Sequence, residues 1–198
     1  MVNRIIDNCV SFMVKNNAIP DTQEQREIYS YGLELQIYYF IHAVLITGIG
    51  LLFGHAMEMA FFLFLFGTIQ SNGGGYHADT HGKCLAIMVF GALLFMALLP
   101  FYQKHLLLQP FCVLFGLIAV LCLAPVAHNN HPLSPQMSKR MGKKAKILTC
   151  IISLSWFLFY FFGIFLFTHS LVSLTMFFSG ISMICAWVKN NKQKKQSL

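Results

Sequence analysis

Charge is what this chain has least of. Only 11% of its 198 residues are Asp, Glu, Lys or Arg, and 7 of them are acidic. Soluble domains carry roughly 25% charged residues. With 57% apolar residues and a mean hydropathy of +0.63, that shortage leaves a polytopic, all-α membrane protein as the expected fold class. No polar stretch is long enough for a soluble module, so residues 1–198 are expected to form one membrane domain. A cleaved secretory signal is not expected, because residues 1–30 mix Arg4, Asp7, Lys15, Asp21, Glu24, Arg26 and Glu27 without a continuous apolar core. None of the six cysteines forms a CxxC pair, which weakens zinc-cluster and redox readings. Cys112, Cys122, Cys150 and Cys185 lie inside apolar runs and read as small buried hydrophobes. Nothing calls for a cofactor, a metal or nucleic acid.

What is present is organised in apolar runs. Residues 1–20 place Ile5, Ile6, Cys9, Val10, Met13 and Val14 at helical spacing. They read as an amphipathic interfacial helix, or else as an ordinary packed helix. Asp21 or Thr22 then caps a helix running to about Phe53. Its roughly 32 residues would span about 48 Å, more than the bilayer core of about 30 Å. Further runs follow at 57–69, 85–103, 106–127, 147–168 and 171–188. The expectation is six spans in a bundle over residues 21–188, followed by a basic cytoplasmic tail at 189–198. Pro100, Pro110 and Pro125 mark kinks or ends. With both termini inside, all but Lys104 of the 14 Lys and Arg residues fall on the cytoplasmic side, a decisive asymmetry under the positive-inside rule.

One segment concentrates chemistry, Gln70-Ser-Asn-Gly-Gly-Gly-Tyr-His-Ala-Asp-Thr-His-Gly-Lys-Cys84, a polar glycine-rich island between two apolar runs. A thiol and an imidazole are the minimum parts for nucleophilic acyl transfer. Cys84 should fall in the first turn of a span, where a helix N-terminus favours negative charge and hence a thiolate. In an unbroken helix, His77 would stand about 10.5 Å from Cys84 along the axis, beyond the roughly 3 Å of proton transfer. A break is therefore required, and Gly73, Gly74, Gly75 and Gly82 permit one. Asp79 is either a third member that orients His77 or a solvated carboxylate. His77 and His81 share the i, i+4 spacing of zinc proteases, but Ala78 replaces the glutamate and no third ligand stands out. Glu34, near the membrane boundary, is positioned to orient His77, to bind a basic part of a partner, or to form a structural ion pair. The run from Ser138 to Lys146, with Lys139, Arg140, Lys143 and Lys144, is either a topology and lipid-headgroup signal or an anchor for an acidic peptide tail.

These residues resemble the accessory gene regulator B (AgrB) family of bacterial membrane peptidases. The similarity rests on Tyr31-Gly-Leu-Glu34, Gly74-Gly-Tyr-His77-Ala with Cys84, Ala124-Pro-Val126, Pro132-Leu-Ser-Pro135 and the basic stretch after it. The resemblance implies that His77 is the general base and Cys84 the nucleophile. It implies cleavage of an acidic C-terminal tail from a small amphipathic quorum-sensing propeptide through a Cys84 thioester, with release of a cyclic thiolactone or lactone. It implies a homodimer in the bacterial cell membrane, with both termini and the active site facing the cytoplasm. Many members of the family carry arginine where Gln70 and Ser71 stand here, so those two residues become candidates for substrate contact. The competing expectation is a non-enzymatic peptide carrier or exporter subunit, in which the glycine island is a hinge and Cys84 is dispensable.

Overall fold

The computed structural model describes residues 2–78, 80–126, 135–164 and 166–196. Within them seven α-helices follow one another: α1 (Val2–Lys15), α2 (Gln23–Leu52), α3 (Ala56–Gly73), α4 (His81–Lys104), α5 (Gln109–Leu123), α6 (Pro135–Phe162) and α7 (Leu166–Gln196). A 3-10 turn at Leu106–Leu108 leads into α5, and no strand paired into a sheet occurs among the described residues. Among the described residues, five helical stretches are long and apolar enough to cross a membrane: 23–52, 82–104, 106–123, 138–162 and 168–193. The sixth expected span, α3, is not among them. It carries Glu58 in its first turn and ends in Gln70-Ser-Asn-Gly73, so its apolar part is the shortest of the six runs.

Local chemistry accounts for the boundaries. Thr22 caps α2 by accepting the Gln25 amide at 3.3 Å, as expected from Asp21 or Thr22. Pro110 sits in the first turn of α5, where its missing N–H costs nothing. Pro100, by contrast, is accommodated inside α4. Two boundaries differ from the sequence reading. α6 begins at Pro135, so the basic run 138–146 is part of a helix continuous with the span and not a loop. It also stops earlier than 168: Gly163 takes φ 66, and the Ile164 amide closes back on the Phe159 carbonyl at 2.9 Å, a left-handed helix stop that suits glycine. α7 then starts at Leu166 and continues through the basic tail to Gln196.

Packing centres on α7. Gly116 of α5 lies so close to the Met176 carbonyl of α7 that a Cβ has no room, and Gly180 lies against Phe115. Small residues let membrane helices approach closely enough for dispersion to hold them. One core cluster joins α2, α3, α4 and α7 through Ile46, Met59, Phe62, Phe95, Leu99 and Leu174, with the Phe62 and Phe95 rings 4.4 Å apart. A second cluster joins α3, α5, α6 and α7 through Ile69, Val120, Ala145, Met176 and Met183. α1 packs on α2, with Ile6, Val10 and Ile19 buried against Leu33 and Ile37. Large apolar side chains such as Phe40, Leu52, Phe64 and Phe161 face outward, as lipid-facing positions do. The cysteine expectation needs correcting for the same reason. Only Cys112 is buried, whereas Cys122, Cys150 and Cys185 are exposed. An apolar run in a membrane helix puts as many residues toward lipid as toward protein.

Candidate functional site

The helix break required by the His77–Cys84 spacing is present, and its glycines have specific tasks. α3 ends at Gly73, and the Gly74 amide donates to the Gln70 carbonyl at 2.8 Å. Gly74 has φ 78 and ψ 171, a region open essentially to glycine alone. The chain therefore leaves the helix extended and does not curl into a capping turn. The Gly73 carbonyl accepts from the Val126 amide at 2.9 Å. A Cβ on Gly74 would strike the Val126 carbonyl, and one on Gly75 would strike the Gln70 side-chain oxygen. The island is thus a close-packed strand against Ala124-Pro125-Val126 as well as a bend.

That strand docks on α7. The Tyr76 amide donates to Ser182 Oγ at 3.0 Å. The Lys189 ammonium donates to the His77 carbonyl at 3.0 Å and stands 5.3 Å from the centroid of the Tyr76 ring. The His77 side chain is exposed. Three residues later Thr80 caps α4. Its backbone is extended and its hydroxyl accepts the Lys83 amide at 3.4 Å. The Cys84 amide makes the first intrahelical bond, to the Thr80 carbonyl at 3.0 Å. Cys84 is therefore the fourth residue of α4, in its first turn, and its side chain is half-buried. The amides of His81 and Gly82 have no acceptor within the helix.

The remaining candidates converge on the same end of the bundle. Gly142 of α6 packs on Pro125, and Gly73 lies against Ala145 and Met183. The first turns of α6, with exposed Lys139, Arg140, Lys143 and Lys144, thus begin beside the strand. On α2, the Tyr39 hydroxyl lies against Gly67 of α3. Glu34, five residues earlier, is about 7.5 Å further along, level with the last turn of α3, and is half-buried. Gln70 turns its amide inward and donates to the Ser179 carbonyl at 3.4 Å, while its oxygen is buried without a hydrogen-bond donor among the described residues. Ser71 is exposed, and its hydroxyl donates to Thr68 O at 3.2 Å. Asp79, the His128-Asn-Asn-His131 segment and Pro132-Leu-Ser134 lie outside the described residues, as does the side chain of His81 on which a zinc reading depends. Sequence reasoning missed Ser182 and Lys189. Their signal was available: Ser179, Ser182, Ala186 and Lys189 recur at i, i+3, i+7 and i+10, a single helix face.

The sequence model of the family described as Accessory gene regulator B matches residues 6–189. An AgrB-like protein of Clostridium perfringens strain SM101 is 30% identical over 135 residues, which cover 64% of this chain and 63% of that protein. A second AgrB-like protein, from Clostridium perfringens strain 13, is 29% identical over the same shares. The chain thus spans a little under two thirds of the length of these relatives. No solved structure matches it. With a family match over most of its length and five helices fit to cross a bilayer, this chain is a multi-pass membrane protein of the accessory gene regulator B (AgrB) family.

Proposed function

We propose that this protein is a membrane cysteine endopeptidase and cyclase acting on a small amphipathic quorum-sensing propeptide with an acidic C-terminal tail. One observation carries the reading. Cys84 in the first turn of α4 and His77 on the docked strand lie on either side of the Thr80 cap, at the end of the bundle where the basic start of α6 emerges. His77 takes the proton of the Cys84 thiol, and the thiolate attacks the scissile carbonyl. The free amides at the start of α4 favour the negative charge that develops there. Collapse of the tetrahedral intermediate breaks the C–N bond, and the leaving amine of the acidic tail takes the proton from His77. A side-chain thiol or hydroxyl of the propeptide then gives its proton to the now neutral His77 and attacks the thioester, closing a thiolactone or lactone and expelling Cys84 as the thiolate, to which His77 can return that proton. The attacker is intramolecular and enjoys a high effective concentration. A site at the membrane boundary limits competing water.

In this reading Lys139, Arg140, Lys143 and Lys144 hold the acidic tail, while Gln70 and Ser71 meet the peptide at the last turn of α3. Glu34 and Asp79 support His77, and Gly74 and Gly75 shape its strand. Both termini and the site face the cytoplasm, where new propeptide is made, and the protein works as a homodimer. The test is propeptide cleavage in membranes carrying Cys84→Ala or His77→Ala. Each is expected to abolish cleavage while membrane insertion persists, and an acyl adduct on Cys84 is expected by mass spectrometry of the trapped wild type. Normal processing by Cys84→Ala would overturn the enzyme reading in favour of a peptide carrier.

A further inference from the structure

The strand that bears His77 is tied to residues remote from it in sequence. Its polar backbone contacts run to the far end of the chain. The Tyr76 amide reaches Ser182, 106 residues away, and the His77 carbonyl reaches Lys189, 112 residues away. Those two α7 side chains grip consecutive residues, and the same Lys189 ammonium also stands over the Tyr76 ring. The glycines before Tyr76 have no side chains with which to fix the strand, and Thr80 secures only the helix that follows it.

We propose that Ser182 and Lys189 are positioning residues of the catalytic site, clamping Tyr76 and His77 so that the imidazole meets Cys84. The inference rests on His77 acting as the base. Seven residues separate Ser182 from Lys189, two turns of helix, about 10.5 Å. Two consecutive extended residues cover only about 6.6 Å, and the long Lys189 side chain, leaning toward the N-terminus of α7, spans the difference, so that Ser182 fixes the strand at Tyr76 and Lys189 fixes it at His77. The carbonyl of His77 accepts a charge-assisted bond, the stronger kind, and the Tyr76 ring adds a cation–π contact. A displacement of about 1 Å at a catalytic group costs up to roughly a hundredfold in rate, so a clamp without contact to substrate governs turnover.

The test compares Lys189→Met, Lys189→Arg, Ser182→Ala and Tyr76→Phe in the full-length protein in detergent or vesicles. Lys189→Met and Ser182→Ala are expected to lower kcat about tenfold to a hundredfold, with KM and melting temperature near wild type. Lys189→Arg and Tyr76→Phe, which keep the charge and the ring, restore most of the rate. Hydrogen exchange supplies a readout independent of catalysis, because Ser182→Ala speeds exchange of the Tyr76 amide. A rise in KM at unchanged kcat would make Lys189 a substrate contact and overturn the proposal. So would unchanged kinetics, or a loss of rate that merely tracks a lower melting temperature. His77→Ala is measured beside them. If it remains active, the base assignment fails; if it is inactive while the α7 variants turn over normally, only the clamp fails.

Discussion

At the scale of single residues, the two glycines before Tyr76 differ in what a methyl group would meet. Gly74 has a positive φ and a backbone oxygen in the way, neither of which can move cheaply. Gly74→Ala is expected to destabilise the protein by about 1–3 kcal/mol, visible as a lower midpoint in denaturant titration, and to abolish processing. A Cβ on Gly75 would meet the far end of the Gln70 side chain and, at 3.0 Å, the Ser182 hydroxyl, side-chain atoms that can change rotamer at about 1 kcal/mol each. Gly75→Ala should therefore be milder, and Gln70→Ala in the same chain should relieve it. Equal losses for Gly74→Ala and Gly75→Ala in side-by-side melts would contradict this account. The Asp21 carboxylate is held below its ordinary range by the Arg26 guanidinium 2.7 Å away. The pair lies at the surface, where such bridges contribute little, so acid should not unfold the protein through it.

At the scale of elements, two threonine caps separate stability from catalysis. Thr22 caps α2 and Thr80 caps α4 by the same kind of bond. Losing either cap costs about 1 kcal/mol of helix stability. Only α4 carries Cys84 in the turn that would fray. Thr80→Ala is expected to reduce kcat several-fold and Thr80→Ser to preserve it, whereas Thr22→Ala leaves kcat within about twofold; steady-state kinetics on matched preparations decide. Elsewhere, the α5–α7 contact depends on missing side chains. Gly116→Leu forces the helices apart at the Met176 carbonyl and should cost about 1–3 kcal/mol as overpacking, read as a lower melting temperature. Because α7 also holds the strand at Ser182 and Lys189, that variant should lose activity before it unfolds.

At the scale of the whole molecule, charge asymmetry and site placement make one statement. The ends of α3, α5 and α7 and the starts of α4 and α6 meet at the end rich in Lys and Arg. If that end faces the cytoplasm, a reporter fused after Leu198 is active inside the cell, and a thiol label at Lys104→Cys is accessible from outside. The exposed Lys139, Arg140, Lys143 and Lys144 give an electrostatic prediction as well. Raising ionic strength from about 50 mM to about 500 mM shortens the screening length severalfold, so if the substrate is the acidic-tailed propeptide proposed above, its KM should rise while kcat holds. Replacing the four by Gln should raise KM and flatten the salt dependence.

Hydropathy and capping residues determined much by themselves. Helices α2 through α7 follow apolar runs visible in the sequence, because a bilayer leaves the backbone few alternatives to helix. Thr22, Pro110 and the glycine island marked ends correctly, since caps and stops are local. The position of Cys84 in a first helical turn was legible from the apolar run that begins after it, and the break before it from helix rise. What periodicity did not reveal was direction. Cys122, Cys150 and Cys185 face outward, because lipid and protein interior are both apolar and composition cannot tell them apart. The extent of α6 was missed because a basic run reads as loop unless the helix it continues is known. The grip of Ser182 and Lys189 on the strand was decided only by the tertiary structure. It joins residues more than 100 positions apart, and such contacts exist only once α7 has packed beside α3 and α5 through Gly73, Gly116 and Gly180.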